Sequence, residues 1–349
     1  RTHPRPQTQT YTLKSGKFSG NQRRYRPDVS RSVRLFGVGL RCKAKVRHPP
    51  NVTRPMTRFL ILLIVAALAV PLPAVFGPLH ASDVPVALDG KRKINLSGRQ
   101  RMLSQRMAKA ACFASIGVQT DAHLQQVRDA HALFDRTLAG LRSGDSEQGM
   151  KPEKAPRILE ELAGVEALWT PYGALVAGAS TSGEAAQAAL PQIAELNVSV
   201  LLQMNRTVGE FQRHYAGTGE IHPVVALALN ISGRQRMLSQ KASKEFCLIL
   251  AGRDVAANRA ALAETVALFE SALLGLREGD DAMGLPPAPT EEIRTQLQTV
   301  SDLWAPLKTI FDATSAGATP NAREIEQVAR DNNPLLEAMN EAVWMYDQL

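Results

Sequence analysis

The sequence predicts an all-α protein made of two tandem up-down-up-down four-helix bundles. Three observations lead to this fold class. A segment repeats without gaps at an offset of 135 residues. Short breaks that contain glycine and proline separate long stretches of helical periodicity, and no stretch alternates in the manner of a β-strand. Four consecutive helices with short connections are expected to pack as an antiparallel bundle.

The repeat is clearest in a nine-residue segment. Residues 97–105 read SGRQRMLSQ, and residues 232–240 read the same nine letters. The offset holds along the rest of the chain, so that Trp169 corresponds to Trp304, and no insertion or deletion is needed. The repeated unit is therefore a duplicated domain of about 125 residues, close to the commonest domain size.

Each copy is expected to contain four helices. The first copy is predicted over residues 90–217 and the second over residues 222–349. Ser182 and Thr290 have the side chains and positions typical of helix N-caps. The four helices of the first copy are predicted at 90–118, 121–142, 153–178 and 184–215.

The positive net charge of +8 comes from the N-terminal part of the chain. Residues 1–55 carry 14 Lys/Arg and one acidic residue, whereas residues 82–349 carry 26 basic and 32 acidic residues. This distribution disfavours a nucleic-acid partner for the folded part. We interpret residues 1–55 as a disordered basic leader that arises from an upstream translation start, with a nucleic-acid-binding arm as the alternative.

Residues 56–81 have the parts of a secretory signal peptide. Arg58 provides a short basic start, residues 59–70 form an apolar run, and small residues precede a cleavage site expected after Ala81. We therefore expect a periplasmic protein. The alternative is an uncleaved inner-membrane anchor, although the apolar run is shorter than the roughly 20 residues that a spanning helix needs.

No catalytic or metal-binding pattern accompanies the repeat. His123 and His131 are too sparse for a metal site, and the second copy has Asn258 and Val266 at these positions. Ser104 and its counterpart lack a repeated His/Asp pair, so hydrolase chemistry is unsupported. We predict no enzyme activity, no cofactor and no metal.

Helix one has a second face that does not belong to the core of its own bundle. On a helical wheel, Leu103 lies on the apolar core face, whereas Ser97 and Cys112 lie beside Arg101 on the opposite face. Small residues let another helix approach closely, and an arginine at such a contact is costly to bury unless an anion neutralises it. The pattern predicts a helix–helix interface that holds an anion between Arg101 and Arg236.

Two glycines support this interpretation. Gly98 and Gly233 precede the two arginines by three residues, and their missing side chains would let a ligand approach the backbone. The alternative is that Arg101 and Arg236 are solvated or paired with a local glutamate. The identity of all nine residues in both copies favours the anion site.

The motif over residues 95–105 and its counterpart resemble the PilJ/NarX-type sensor domain. This is the N-terminal ligand-binding domain of type IV pili chemotaxis transducers and of nitrate/nitrite sensor kinases. The resemblance implies a periplasmic four-helix bundle that dimerises through helix one, with nitrate between paired arginines and nearby backbone. The residues that correspond to these ligand contacts are Gly98, Arg101, Gly233 and Arg236.

This chain departs from the nitrate-sensing branch in the two residues that separate each motif glycine from the ligand-contacting arginine. In both copies these residues are an arginine and a glutamine. We expect the arginines, Arg99 and Arg234, to be extra anion contacts or surface charges. Because the resemblance implies that two domains form one site, the two copies of this chain are expected to form it as a pseudo-dimer, with a homodimer as the alternative. Cys112 would then face Cys247, either in a disulfide or as two buried thiols.

The resemblance implies an exported sensory protein that binds a small anion, nitrate or nitrite first. We expect it to signal through a separate partner, a membrane-bound transducer or a pilus or envelope protein. The alternative is an envelope or type IV pilus-associated interaction protein that binds no ligand.

Overall fold

The computed structural model describes residues 86–349, and this part of the chain contains eight α-helices and no β-strand. The predicted all-α class with two four-helix bundles is confirmed. The predicted leader (1–55) and signal peptide (56–81) lie outside the described residues. The helices are α1 (Val86–Ser115), α2 (Thr120–Ser143), α3 (Pro156–Ala179), α4 (Gly183–Gly217), α5 (Pro223–Leu250), α6 (Val255–Glu278), α7 (Glu291–Ser315) and α8 (Ala322–Gln348).

The first four helices form one bundle and the last four form the other. Helix α1 packs against α2 and α4 of its own bundle and also lies along α5. Helix α5 has the same role in the second bundle, where it packs against α6 and α8. The two bundles therefore meet through their first helices. None of the eight helices between residues 86 and 349 combines the length and the apolar composition of a membrane-spanning segment.

The helix ends follow local sequence signals. Ser182 and Thr290 each accept a hydrogen bond from a backbone N–H three residues on, which confirms both predicted N-caps. Helix α1 ends at Ser115, before the predicted residue 118, because Gly117 adopts a positive φ of 78° in the turn that follows. Helix α3 begins at Pro156 rather than at residue 153, since a proline suits the first helical position.

The bundle cores repeat their aromatic packing. The Trp169 ring stacks on Phe134 and the Trp304 ring stacks on Phe269, each with centroids 4.0 Å apart. Both tryptophans are buried, so they serve as core residues of the two bundles.

A disulfide joins the two bundles covalently. It links Cys112 of α1 to Cys247 of α5, and both cysteines are fully buried. The bond spans 135 residues of sequence and closes a loop that includes most of the first bundle. Such a long loop gives a cross-link a large effect on the entropy of the unfolded chain.

We predict that the double substitution Cys112→Ala and Cys247→Ala lowers the free energy of unfolding by about 2–5 kcal/mol, because it restores entropy to the unfolded chain. Urea denaturation with and without reductant measures the effect. Wild type should lose stability in reductant, and the double variant should not respond to it. A chain with equal numbers of titratable thiols before and after reduction would contradict the cross-link.

His123 and Asn258 perform the same structural task in the two bundles. His123 Nδ1 lies 2.8 Å from the Val118 carbonyl oxygen, and Asn258 Nδ2 donates to the equivalent carbonyl of Arg253 at 2.8 Å. The imidazole is fully buried. Burial, with a further contribution from the nearby charge of Lys109, lowers the pKa of His123 to about 4.

We predict that His123 makes the protein less stable as the pH falls from about 6.5 to about 4. In that interval the unfolded chain binds a proton on His123 that the folded chain does not, which costs roughly 2–3 kcal/mol by pH 4. His123→Asn, which copies the second bundle, should keep the hydrogen bond and remove this part of the pH dependence. Thermal unfolding from pH 7 to pH 4 measures it, and identical pH profiles would contradict the assignment.

Candidate anion-binding site

The candidate site lies where α1 crosses α5, and two glycines make that crossing close. A Cβ atom built on Gly98 would lie 4.0 Å from the Cα of Gly233, so the two backbones are in near contact. The same point is 3.3 Å from Nη2 of Arg101 and 3.6 Å from Nη2 of Arg236. A Cβ on Gly233 would lie 3.4 Å from Arg236 and 3.6 Å from Arg101. Both guanidinium groups therefore converge on the glycine crossing.

Each arginine reaches across to the other bundle. Nη2 of Arg101 donates to the backbone oxygen of Asn230 at 3.1 Å. Nη2 of Arg236 donates to the backbone oxygen of Asn95 at 3.0 Å and also to its side-chain oxygen at 3.0 Å. These bonds tie α1 to α5 with near two-fold symmetry.

The other end of each guanidinium contacts helix four of its own bundle. Nη1 of Arg101 lies 3.5 Å from Oδ1 of Asn205 on α4, and Nη1 of Arg236 lies 3.4 Å from Oδ1 of Asn340 on α8. The distances are long for hydrogen bonds, so these contacts are weak. Each arginine thus connects its own helix to two others, which are the first helix of the other bundle and helix four of its own bundle.

The two arginines are buried cations that make no direct ion pair, and the charge of Asp347, which acts on Arg236 without contact, is the smallest of the effects on the pKa of Arg236. Arg101 is 3% exposed and Arg236 is 1% exposed. Neither forms an ion pair with a carboxylate of residues 86–349, and neither Nε has a hydrogen-bond partner there. Burial lowers the pKa of each guanidinium to about 9. The alternative of a solvated or glutamate-paired arginine is therefore wrong for both residues.

Arg99 and Arg234 occupy equivalent positions but have different surroundings. Arg99 is half-buried, and its Nη2 donates to Oγ1 of Thr137 at 2.9 Å and to Oε1 of Gln148 at 2.6 Å. In the second copy these partners are replaced by alanine and methionine, and Arg234 is exposed. The substitution of both partners explains why one arginine folds onto its own bundle and the other extends into solvent.

A second layer of buried cations lies further along the same crossing. Nζ of Lys109 donates to Oδ1 of Asn332 at 2.9 Å, and Nζ of Lys244 donates to Oδ1 of Asn197 at 3.1 Å. Each lysine contacts helix four of the other bundle. Burial lowers the pKa of Lys244 to about 8 and that of Lys109 well below its usual range.

The acceptors Asn95 and Asn230 and the lysines Lys109 and Lys244 were not predicted as site residues. The repeat pairs Asn95 with Asn230 and Lys109 with Lys244, so it marks these positions as equivalent. However, it does not indicate that a side chain of one copy contacts the other copy. Within residues 86–349, no three His, Cys, Asp or Glu residues are grouped so that they could hold a metal ion.

Comparison with known proteins identifies the domain type. The family described as "Type IV pili methyl-accepting chemotaxis transducer N-term" matches residues 87–195 and again residues 224–330. A similar protein is the methyl-accepting chemotaxis protein McpN of Pseudomonas aeruginosa, which is 26% identical over 262 residues.

The alignment with that relative covers 71% of this chain and 46% of the relative, so this chain spans about half the length of the curated relative it matches. The two family matches fall on the two bundles, and each includes the helix that carries the motif arginine. The chain belongs to the family of type IV pili chemotaxis transducer N-terminal domains, whose members have sensory roles, and it carries the family's domain twice.

Proposed function

We propose that this protein is an exported sensor that binds one small oxyanion, nitrate or nitrite first, between Arg101 and Arg236. In this proposal the two copies act as a pseudo-dimer within one chain. The bound state is passed to a separate partner, a membrane-bound transducer or a protein of the pilus or envelope. The sensory family supports the general role, and the geometry of α1 and α5 supports the anion.

One observation carries the proposal. Two guanidinium groups, both almost completely buried, converge on a pair of facing glycines, and neither has a carboxylate partner among residues 86–349. Removing an ion from water costs several kcal/mol unless a charge of opposite sign compensates it. An anion between Arg101 and Arg236 would supply that charge, and the unpartnered Nε atoms offer it further donors.

The chemistry of arginine favours a planar oxyanion. A guanidinium is a flat fork of N–H donors that matches two oxygen atoms of a planar anion. Nitrate is planar and carries a single charge, so it would leave one net positive charge on the arginine pair. The missing side chains of Gly98 and Gly233 would give the anion room against the backbone. The resemblance to the nitrate-sensing branch points to the same ligand.

The hydrogen bonds of the arginines suggest how binding is transmitted. Arg101 holds the backbone of α5 and touches Asn205 on α4, while Arg236 holds the backbone of α1 and touches Asn340 on α8. An anion that takes N–H donors from these partners would change the contacts of helix four in both bundles. A ligand shifts a conformational equilibrium when its interactions differ between the two states, and donors that bond either to these partners or to the anion would supply such a difference.

We predict that Arg101→Ala and Arg236→Ala each abolish anion binding, because one guanidinium cannot replace the paired donors. Thermal unfolding against nitrate, nitrite, sulfate, phosphate and small carboxylates, at constant ionic strength, measures binding. A hundredfold excess of a bound anion over its Kd stabilises the folded state by roughly 2.7 kcal/mol. Arg234→Ala is the matched control, since this exposed residue should leave binding unchanged.

The substitution of Arg101 by lysine distinguishes an anion sensor from an interaction protein that binds no ligand. Arg101→Lys keeps the charge but loses the fork of donors, so it should weaken binding of the oxyanion at least tenfold. A docking protein should tolerate this change and ignore small anions. Wild-type protein that no anion in the panel stabilises would refute the sensor and favour the interaction protein.

We also predict that Gly98→Ala weakens anion binding at least tenfold without unfolding the protein. The added methyl group would lie 3.3 Å from the Arg101 guanidinium and would occupy the space assigned to the ligand, whereas alanine is itself favourable in a helix. Isothermal titration with nitrate measures the loss. Gly178→Ala is the matched control, because a methyl group there meets no atom within 4 Å. Unchanged affinity in Gly98→Ala would place the anion elsewhere.

A further inference from the structure

The duplication creates two equivalent grooves between the bundles, and they differ in the side chains that line them. The α4–α5–α6 groove lies between helix four of the first bundle and the first two helices of the second. It holds a cavity of about 800 Å³. The α8–α1–α2 groove is its counterpart, and a cavity of about 350 Å³ lies at a shifted position along it, beside Arg236 and Trp344 rather than Lys109. The residues that line the first cavity have counterparts in the other groove, so their side chains can be compared position by position.

A hydrogen bond across the α8–α1–α2 groove helps to close it. Nη1 of Arg106 on α1 donates to Oδ1 of Asn333 on α8 at 3.0 Å. The corresponding residues of the other groove are Lys241 and Val198, and a valine side chain cannot accept this bond. The equivalent cross-link is therefore missing from the α4–α5–α6 groove.

Lys241 instead bonds within its own bundle. Its Nζ lies 2.5 Å from Oε1 of Glu245 and 2.6 Å from Oγ1 of Thr265. The first copy has Ala110 and Ala130 at the positions of these two partners. The second copy thus contains the residues that hold its lysine away from α4, and the groove beside α4 stays open.

The wall that α4 contributes is apolar and exposed. Val198 is 51% exposed and Leu202 is 54% exposed, and both line the cavity. Their counterparts on α8 are the polar residues Asn333 and Glu337. Large apolar side chains that are half exposed at the edge of a cavity mark a surface that is suited to an apolar ligand.

Three charged residues lie at the floor of the cavity, and the two cations among them exceed the one anion by a single charge. Lys244 lines it and is 6% exposed, and its Nζ donates to Oε1 of Gln105 at 2.9 Å and to Oδ1 of Asn197 at 3.1 Å. Both acceptors are neutral, and an ammonium group has three donors. The other charges on the floor, Lys241 and Glu245, form a pair with each other. The charged residues at the rim are exposed and solvated.

We propose that the α4–α5–α6 groove binds an amphiphilic monocarboxylate, a small organic anion with one carboxylate on an apolar body. The carboxylate accepts from Nζ of Lys244, and the apolar body lies against Val198, Leu202 and Leu248. A single negative charge complements the unpaired cation of the floor, and a cavity of about 800 Å³ has the size of a small-molecule site.

This site is separate from the arginine pair. Lys244 follows Arg236 by eight residues on α5, which places it about 12 Å further along the helix. The groove also opens between α4 and α6, whereas the arginines lie between α1 and α5. The monocarboxylate site therefore does not depend on the proposed nitrate site, and the two are testable independently.

Isothermal titration of the full chain with octanoate and with 1-octanol, both below the concentrations at which they aggregate, tests the proposal. Wild type should bind octanoate at least tenfold more tightly than octanol, because only the carboxylate carries a charge opposite to that of Lys244. Lys244→Met should reduce octanoate affinity to that of octanol. Lys109→Met, the equivalent substitution in the other copy, should leave the preference intact.

A second variant covers the case in which Lys244→Met fails to fold. The double substitution Val198→Asn and Leu202→Glu changes two exposed residues to those of the other copy, so folding should be unaffected. It should abolish binding of octanoate and octanol while nitrate binding is unchanged. Wild type that binds neither probe, or a double variant that binds octanoate as tightly as wild type, would overturn the proposal.

Discussion

The close crossing of α1 and α5 is the contact on which the rest of the structure depends. Gly98 and Gly233 let the backbones approach, and this brings Arg101 and Arg236 into the interior, where backbone oxygens of the opposite helix accept from them. A Cβ atom at Gly98 would lie 3.3 Å from one arginine Nη2, and one at Gly233 would lie 3.4 Å from the other, so either would press on the guanidinium groups. The buried arginines, the lysines beyond them and the disulfide are all arranged along this one line of contact.

Much of this arrangement was predictable from the sequence because the two copies of the domain can be compared with each other. Two copies that share nine consecutive residues mark Arg101 and Arg236 as equivalent, and helical periodicity separates their face from the core face. The helix boundaries were less accurate where a single residue decides them, as with Gly117 after α1 and Pro156 at the start of α3. Such local choices are not visible in a periodic pattern.

The individual hydrogen bonds between the copies were not predictable, because they depend on tertiary geometry. Lys109 bonds to Asn332 of the other bundle, and neither residue suggests this partner in the sequence. The different surroundings of equivalent residues in the two copies were not predictable either. Arg99 and Arg234 match in sequence, yet the residues that distinguish them, Thr137 and Gln148, lie on the second helix and in the loop after it. Equivalent residues therefore acquire different surroundings through substitutions far away in the chain.

The covalent connection of α1 to α5 keeps their contact intact when few molecules of the protein are present. When two separate chains form an interface, the fraction assembled falls on dilution, and any site between them is lost with it. Here both helices belong to one polypeptide and are joined again by Cys112 and Cys247, so the effective concentration of one helix at the other is fixed by the chain. The occupancy of a site at this contact would follow the ligand concentration alone, however few molecules the cell makes.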